Sequence, residues 1–231
     1  MVKLVISALF FFFFNIALFG QNRVLEPNFA VSTHPLAILA VEKTHDSLIV
    51  EMSIENQSST GYFCVNKKTY IECLPEKNKI FALSITGIPV CPNVYHFKWV
   101  GEKKYFKLIF PAPDTSVKYV NIIEGCSNHC FSIYGLILNP KLNDYLNRGY
   151  DYYNHNNLQS ALETFEKALR DFPDYPFAVL PAHIIKILLE QKKYSLADRW
   201  YKQLLNSHFL DKNAIIKQVE NYSGYDKMLK E

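Results

Sequence analysis

Glycine is scarce in this sequence, and several kinds of catalytic site are excluded as a result. The chain has 8 glycines in 231 residues, and they stand apart from one another, so no Gly-rich phosphate-binding loop is present. The Gly-x-Ser-x-Gly motif of many hydrolases is also absent. The histidines show no metal-ligand spacing. We therefore predict no metal, no cofactor and no enzymatic activity.

The sequence also lacks a large excess of positive or negative charge. The formal net charge is +3, and the sequence contains no block of like charges. Proteins that bind nucleic acid usually carry a strongly basic patch or stripe. We therefore predict that nucleic acid is not a partner.

The cysteines are confined to one part of the chain, because none precedes Cys64 and none follows Cys130. Their number is five, which is odd, so at least one thiol is free or paired with another chain. The absence of cysteine from the C-terminal third is a first indication of a domain boundary.

Residues 1–20 have the pattern of a secretory signal peptide. Lys3 is the only charged residue before Arg23, and the almost entirely apolar stretch Leu4–Phe19 is followed by Gly20-Gln21. The stretch is shorter than the roughly 20 apolar residues of a membrane-spanning helix. A cleaved signal is therefore favoured over an uncleaved anchor, which is the alternative. We predict a secreted or periplasmic protein that contacts a membrane only if the signal is not cleaved.

Residues 21–139 have the pattern of an antiparallel β-domain. The clearest strand is Ser47–Glu55, in which apolar and polar side chains alternate. The strands flanking Gly101-Glu102 are expected to form a hairpin. This number of short strands predicts a β-sandwich of immunoglobulin-like type, with a small barrel as the alternative. The other predicted strands are Tyr62–Val65, Thr69–Leu74, Lys79–Ile88, Tyr95–Val100, Lys104–Phe110, Val117–Glu124 and Phe131–Leu138.

Residues 140–231 have a helical pattern, because apolar residues recur at intervals of three and four. The stretch 142–175 resembles a tetratricopeptide repeat, and an ordinary helical hairpin is the alternative. The resemblance implies that Gly149 and Ala161 lie where two helices cross, while Tyr152 fills the groove between them. The matching residues are Tyr145, Gly149, Tyr152, Ala161, Phe165, Ala168 and Pro173.

A second, less regular copy of the repeat covers about 178–211. Its second helix matches the pattern, whereas its first helix departs from it. A further helix over Asp211–Asn221 is expected to cap the stack. The matching residues are Ala197, Tyr201 and Leu204, and the departures are Pro181 and Ile185.

The resemblance to the repeat family implies a short all-α array with a groove that binds a protein or peptide. The predicted function is therefore that of an exported interaction module, an adaptor or assembly factor. The alternative for Tyr150 and Tyr153 is that they pack on the β-domain. The groove positions implied by the family pattern are Asn143, Leu146, Tyr150, Tyr153 and Asn154 in the first copy and Lys186 and Glu190 in the second.

Short segments of the β-domain resemble exported Bacteroidetes proteins that have no assigned activity. These segments are Tyr105–Pro113, Ile122–Gly125 and Phe131–Gly135, and Phe19-Gly20-Gln21 resembles the signal cleavage sites of the same group. The resemblance implies export and a type of domain, but no reaction.

The segment Cys126–Cys130 is the densest cluster of reactive residue types. We predict a short disulfide between Cys126 and Cys130, because cysteine pairs in exported proteins mostly form disulfides. Free thiols are the next alternative. A structural zinc site would need a fourth ligand. A nucleophile activated by His129 is disfavoured, because adjacent residues on a strand point to opposite faces.

Two other functional classes stay open at this point. The protein could be an enzyme that uses Cys126 or Cys130. It could also be an envelope-structural or carbohydrate-binding protein that uses Tyr95, Trp99 and Tyr105 on the β-domain.

The signal peptide generates the first prediction. The mature protein should begin at or near Gln21, because the apolar stretch ends just before it. N-terminal mass analysis of the native protein measures this directly. An intact Met1 in the membrane fraction would contradict the prediction.

Overall fold

The computed structural model describes residues 23–229, so the predicted signal peptide 1–20 lies outside the described residues. Within this range, twelve strands are followed by six helices, and the change occurs at Pro140. The prediction of an antiparallel β segment followed by helices is confirmed. No helix between residues 23 and 229 is long and apolar enough to cross a membrane.

The strands and helices have the following bounds. The strands are β1 Arg23–Leu25, β2 Val31–Ser32, β3 Leu36–Lys43, β4 Ser47–Glu55, β5 Tyr62–Phe63, β6 Tyr70–Leu74, β7 Asn78–Phe81, β8 Ser84–Thr86, β9 Tyr95–His96, β10 Lys103–Pro111, β11 Tyr119–Ile123 and β12 Ser132–Ile137. The helices are α1 Pro140–Asn154, α2 Leu158–Asp171, α3 Val179–Glu190, α4 Tyr194–Leu205, α5 Lys212–Glu220 and α6 Tyr225–Met228.

The strands form two five-stranded antiparallel sheets. The first sheet has the order β1-β3-β4-β10-β8, and the second has the order β2-β12-β11-β6-β7. Both sheets contribute to one hydrophobic cluster, which includes Val50 and Leu108 from the first sheet and Ile122 and Ile133 from the second. Strands β5 and β9 form a separate pair.

Strand β4 has the predicted bounds, whereas its neighbour β3 was not predicted. Strand β3 pairs with β4, but the register between them shifts between Ile38 and Ala40. Such a bulge interrupts the alternation of buried and exposed side chains. The residues of β3 are mostly apolar and do not alternate with a period of two, as those of β4 do, so the sequence pattern did not reveal this strand.

The predicted hairpin around Gly101-Glu102 is wrong. Strand β9 pairs with β5, whereas β10 pairs with β4 and β8. The loop between β9 and β10 is held by the buried Asn56, whose amide N–H donates to the carbonyl of Glu102 at 2.9 Å. The Asn56 side chain also donates to the carbonyl of Trp99 at 2.7 Å. These bonds direct the chain toward β4.

The predicted strand Lys79–Ile88 is two strands in different sheets. The amide of Ala82 donates to the carbonyl of Thr69 at 2.9 Å, and the amide of Leu83 donates to the carbonyl of Ile109 at 2.7 Å. The chain therefore crosses from the second sheet to the first between consecutive residues. Alternation along the sequence does not reveal this crossing, because both halves are extended.

Helices α1 and α2 lie in the segment 140–231 that the sequence predicts to be helical. Asn139 caps α1 by accepting from the amide of Leu142, with Pro140 in the first turn. A Cβ at Gly149 would lie 2.4 Å from the ring of Phe165, so glycine is needed for this close approach.

Tyr152 does not fill the space between α1 and α2 as expected, because its side chain is exposed. The ring of Tyr150 takes that position, with its centroid 5.5 Å from that of Phe165. Residues two positions apart point in different directions around a helix, so Tyr150 contacts α2 while Tyr152 faces solvent.

The second pair of helices, α3 and α4, and the expected further helix α5 also form, while the short α6 was not predicted. Helix α3 packs against α2, α4 and α5. The helical residues belong to one hydrophobic cluster that also includes Leu74, Tyr119 and Ile137 from the second sheet. The strands and helices therefore share a core where they meet.

Close packing joins the second sheet to the helices. Gly135 has a φ of +69°, and a Cβ there would lie 2.7 Å from the ring of Phe177. Nearby, Lys118 and Asp174 form an ion pair at 2.7 Å. The rings of Tyr119 and Tyr175 meet edge to face with centroids 5.2 Å apart.

The side chain of Asn143 makes the most complete polar connection at this junction, and it is only 2% exposed. Its Oδ1 accepts from the backbone amide of Asn28 at 2.7 Å and from that residue's side chain at 3.1 Å. Its Nδ2 donates to the carbonyl of Ile137 at 2.9 Å and to that of Asn139 at 3.1 Å. The amide therefore connects α1 to the end of β12 and to the segment before β2.

The Asn143 connection generates a stability prediction. Asn143→Ala should lower the free energy of unfolding by about 1–3 kcal/mol, because buried partners of the amide lose their hydrogen bonds. Asn154→Ala is the control, since this asparagine of the same helix is exposed. Urea unfolding monitored by circular dichroism gives both values. Equal stability of the two variants would show that the amide does not hold the junction.

Candidate functional site

Three residues predicted from the repeat pattern meet on one surface of the helices. The hydroxyl of Tyr153 on α1 donates to Glu190 Oε1 on α3 at 2.6 Å. The Nζ atom of Lys186, one turn earlier on α3, lies 4.7 Å from the centroid of the Tyr153 ring. Tyr222, two residues after the end of α5, lies near Lys186 and accepts a hydrogen bond from the side chain of Gln218. We call Tyr153, Lys186, Glu190 and Tyr222 the groove cluster.

The groove cluster keeps its cation charged at neutral pH. The hydrogen bond with Tyr153 is the main cause that raises the pKa of Lys186, and the negative charge of Glu190 acts in the same direction. The ammonium is partly shielded by the ring beneath it, while Glu190 is exposed. The cluster therefore offers one cation, one carboxylate and two phenol groups to a partner.

A partly buried aromatic layer lies one helical turn from the groove cluster. Tyr150 is three residues before Tyr153, and His183 is three residues before Lys186. The Tyr150 hydroxyl and His183 Nε2 are 3.1 Å apart, and the imidazole stacks on Phe165 with centroids 5.3 Å apart. Tyr150 therefore packs among the helices, which differs from the alternative that it packs on the strands.

Burial controls the charge state of this layer. It lowers the pKa of His183 to about 4 and raises the pKa of Tyr150 to about 12. Both side chains are therefore neutral at physiological pH. Sequence reasoning missed His183, because a single histidine in an apolar helix shows no spacing pattern.

The predicted groove residues at the start of α1 are not on the surface. The side chain of Asn143 forms a hydrogen bond with Ile137 at the end of β12, and Leu146 is buried in the hydrophobic cluster. Asn154, at the end of α1, is exposed. The predicted positions on α1 that reach the surface are therefore Tyr153 and Asn154, at the end of the helix.

The structure contains two disulfides. The predicted bond between Cys126 and Cys130 is confirmed, and a second bond joins Cys64 to Cys91. The remaining thiol, Cys73, is free and buried, and burial raises its pKa. Two disulfides fit an oxidising compartment such as the exterior or the periplasm.

The catalytic alternative finds little support in this arrangement. The sulfurs of Cys126 and Cys130 are bonded to each other, so neither is a thiolate. In the part of the chain that the structure describes, no group of three His, Cys, Asp or Glu side chains could hold a metal ion.

The three aromatic residues of the carbohydrate-binding alternative do not share a face. The ring of Tyr95 lies under Lys104 Nζ at 4.4 Å. Tyr105, the next residue on β10, points to the other side of the sheet and is exposed. Trp99 is exposed in the loop between β9 and β10.

Comparison with known proteins finds no matching family model, no similar curated protein and no similar solved structure.

The position of His183 among the helices generates a prediction about pH. Its pKa is about 4 in the folded chain, against about 6.5 when unfolded, so acid protonates the unfolded state first. The contribution of His183 to the free energy of unfolding should fall by roughly 3 kcal/mol between pH 6.5 and 4 and then level off.

His183→Gln is the matched variant, because glutamine can bond to Tyr150 but does not titrate. The difference between the unfolding free energies of the native protein and the variant, measured from pH 7 to 4, isolates this residue. A constant difference would mean that His183 is accessible to protons in the folded protein.

Proposed function

We propose that the chain is an exported protein–protein interaction module, which binds a partner's peptide segment along α1, α3 and α5. The observation that carries the proposal is the groove cluster. Tyr153, Lys186 and Glu190 were assigned to a binding surface from the repeat pattern, and Tyr153 on α1 contacts both of the others, which lie on α3.

The order of the helices supports a tetratricopeptide-like arrangement. Helix α2 packs against both α1 and α3, and α3 packs against α5 as well as α4. In such a stack the first helix of each pair lines the inner surface. Here these are α1 and α3, with α5 as the next in the series.

We also propose that the β segment is an immunoglobulin-like sandwich. The two large sheets share one hydrophobic cluster, as the facing sheets of a sandwich do. Two repeats are few for a stable stack. The second sheet covers the side of α1 that a preceding repeat would otherwise cover, through Asn143 and Ile137.

The chemistry of the groove cluster suits an extended peptide with polar side chains. Tyrosines give rigid contact area and a hydroxyl group at low entropic cost, and they are enriched at protein interfaces. Lys186 and Glu190 can pair with charges of either sign on the partner. Most of the binding energy is expected from the ring of Tyr153, because aromatic residues dominate such interfaces.

The groove proposal is tested by site-specific photo-crosslinking in the cell of origin. A photoreactive residue at Asn154, which is exposed beside the groove cluster, should trap a protein partner. The same residue at Gln203, exposed on α4, should not trap that partner. Equal crosslinking from both positions would contradict a partner bound in the groove.

A pair of adjacent tyrosines provides matched variants for the affinity. Tyr153→Ala should weaken binding of the trapped partner by about tenfold or more, because an interface aromatic residue is removed. Tyr152→Ala removes the same side chain from the exposed neighbouring position and should leave the affinity nearly unchanged. Calorimetric titration measures both. A larger loss from Tyr152→Ala would place the partner on another face of α1.

A further inference from the structure

A cavity of about 460 Å³ lies at one end of the β segment, far in sequence from the groove cluster. Its volume is within the ~300–1,000 Å³ typical of small-molecule sites. Residues from five stretches of the chain line it, including the loop after β4, strand β5 and the segment before β12. Both disulfides contribute cysteines to its wall.

The wall of this cavity is held in place before any ligand binds. The carboxylate of Glu124 is buried, with one oxygen accepting from the amide of Asn66 at 2.8 Å and the other from the amide of Phe131 at 3.1 Å. One side chain therefore joins two loops that the disulfides also restrain. A site fixed in this way loses little conformational entropy on binding.

The cavity offers free hydrogen-bonding groups. Among residues 23–229, the side chains of Gln57, Asn128 and His129 have no hydrogen-bond partner, and all three line the cavity. Amides and an imidazole can both donate and accept. These are the groups that recognise hydroxyl-rich ligands.

The cavity also presents aromatic surface. Tyr62 is 67% exposed at its rim, and Phe63 and Phe97 lie in its lining. An exposed aromatic ring beside free amides gives one apolar and one polar surface to the same ligand. A pyranose ring has this double character, with C–H groups on its faces and hydroxyls around its edge.

The charge of the lining argues against an ionic ligand. No lysine or arginine is among the lining residues, so phosphate and carboxylate groups find no cation. The two lining carboxylates are already engaged, Glu124 with backbone amides and Glu55 with Lys103 at 3.2 Å. A cationic ligand therefore finds no free acid.

We infer that this cavity is a binding site for a neutral saccharide, with Tyr62 stacking on the sugar ring and Gln57, Asn128 and His129 bonding its hydroxyls. The inference is independent of the proposed peptide groove. It also differs from a site on Tyr95, Trp99 and Tyr105, because none of these three lines the cavity.

The test uses the disulfide-bonded protein on an array of neutral hexose and N-acetylhexosamine oligosaccharides, with sulfated and phosphorylated glycans beside them. Binding to a neutral glycan is expected. Tyr62→Ala should weaken it by about tenfold or more. Tyr105→Ala is the matched control, because this tyrosine is 60% exposed but lies outside the cavity. It should change the affinity less than about twofold.

A second variant shows whether a loss of glycan binding comes from the site itself or from a loss of folding. The Asn128 side chain is exposed and bonds to no residue from 23 to 229, so Asn128→Ala should fold normally and still weaken binding. Tyr153→Ala should leave glycan binding intact, which separates this site from the groove. Absence of neutral-glycan binding, a preference for anionic glycans, or a loss with Tyr105→Ala but not Tyr62→Ala would overturn the inference.

Discussion

The buried amide of Asn143 is the interaction on which the relation between strands and helices depends. Its oxygen accepts two bonds from Asn28 and its nitrogen donates to Ile137, so both polar ends are satisfied away from water. An orientation of α1 that breaks these bonds would leave buried polar groups without partners, which is costly. The first helix therefore leaves the second sheet in one direction, and the later helices pack in turn on this first one.

This fixed start determines where the proposed groove lies. The first half of α1 packs on the strands through Asn143, whereas Tyr153 near its end bonds to Glu190 on α3. Beneath that surface, Tyr150 and His183 bond to each other and pack against Phe165. This partly buried pair packs between α1, α2 and α3, beneath the polar groups of the groove cluster.

The two proposed sites are kept rigid by different physics. The groove depends on helix packing, in which Gly149 lets the ring of Phe165 approach the backbone of α1. The cavity of the β segment is surrounded by short strands and loops with little regular hydrogen bonding. There, two disulfides and the carboxylate of Glu124 restrain the wall.

Local patterns in the sequence determined β4, the positions of α1 to α5, the bond between Cys126 and Cys130, and the residues Tyr153, Lys186 and Glu190 as one candidate surface. The first three depend on periodicity or on short spacing, which the chain order carries directly, whereas Tyr153, Lys186 and Glu190 follow from the resemblance to the repeat family. The tertiary structure alone decided the partner of β10, the sheet change between Ala82 and Leu83, and the pairing of Cys64 with Cys91. It also decided that Asn143 and Leu146 are buried and that Gln57 and His129 line one cavity. These features join residues far apart in the chain, and their energies come from packing and hydrogen bonds that exist only once the strands and helices have met.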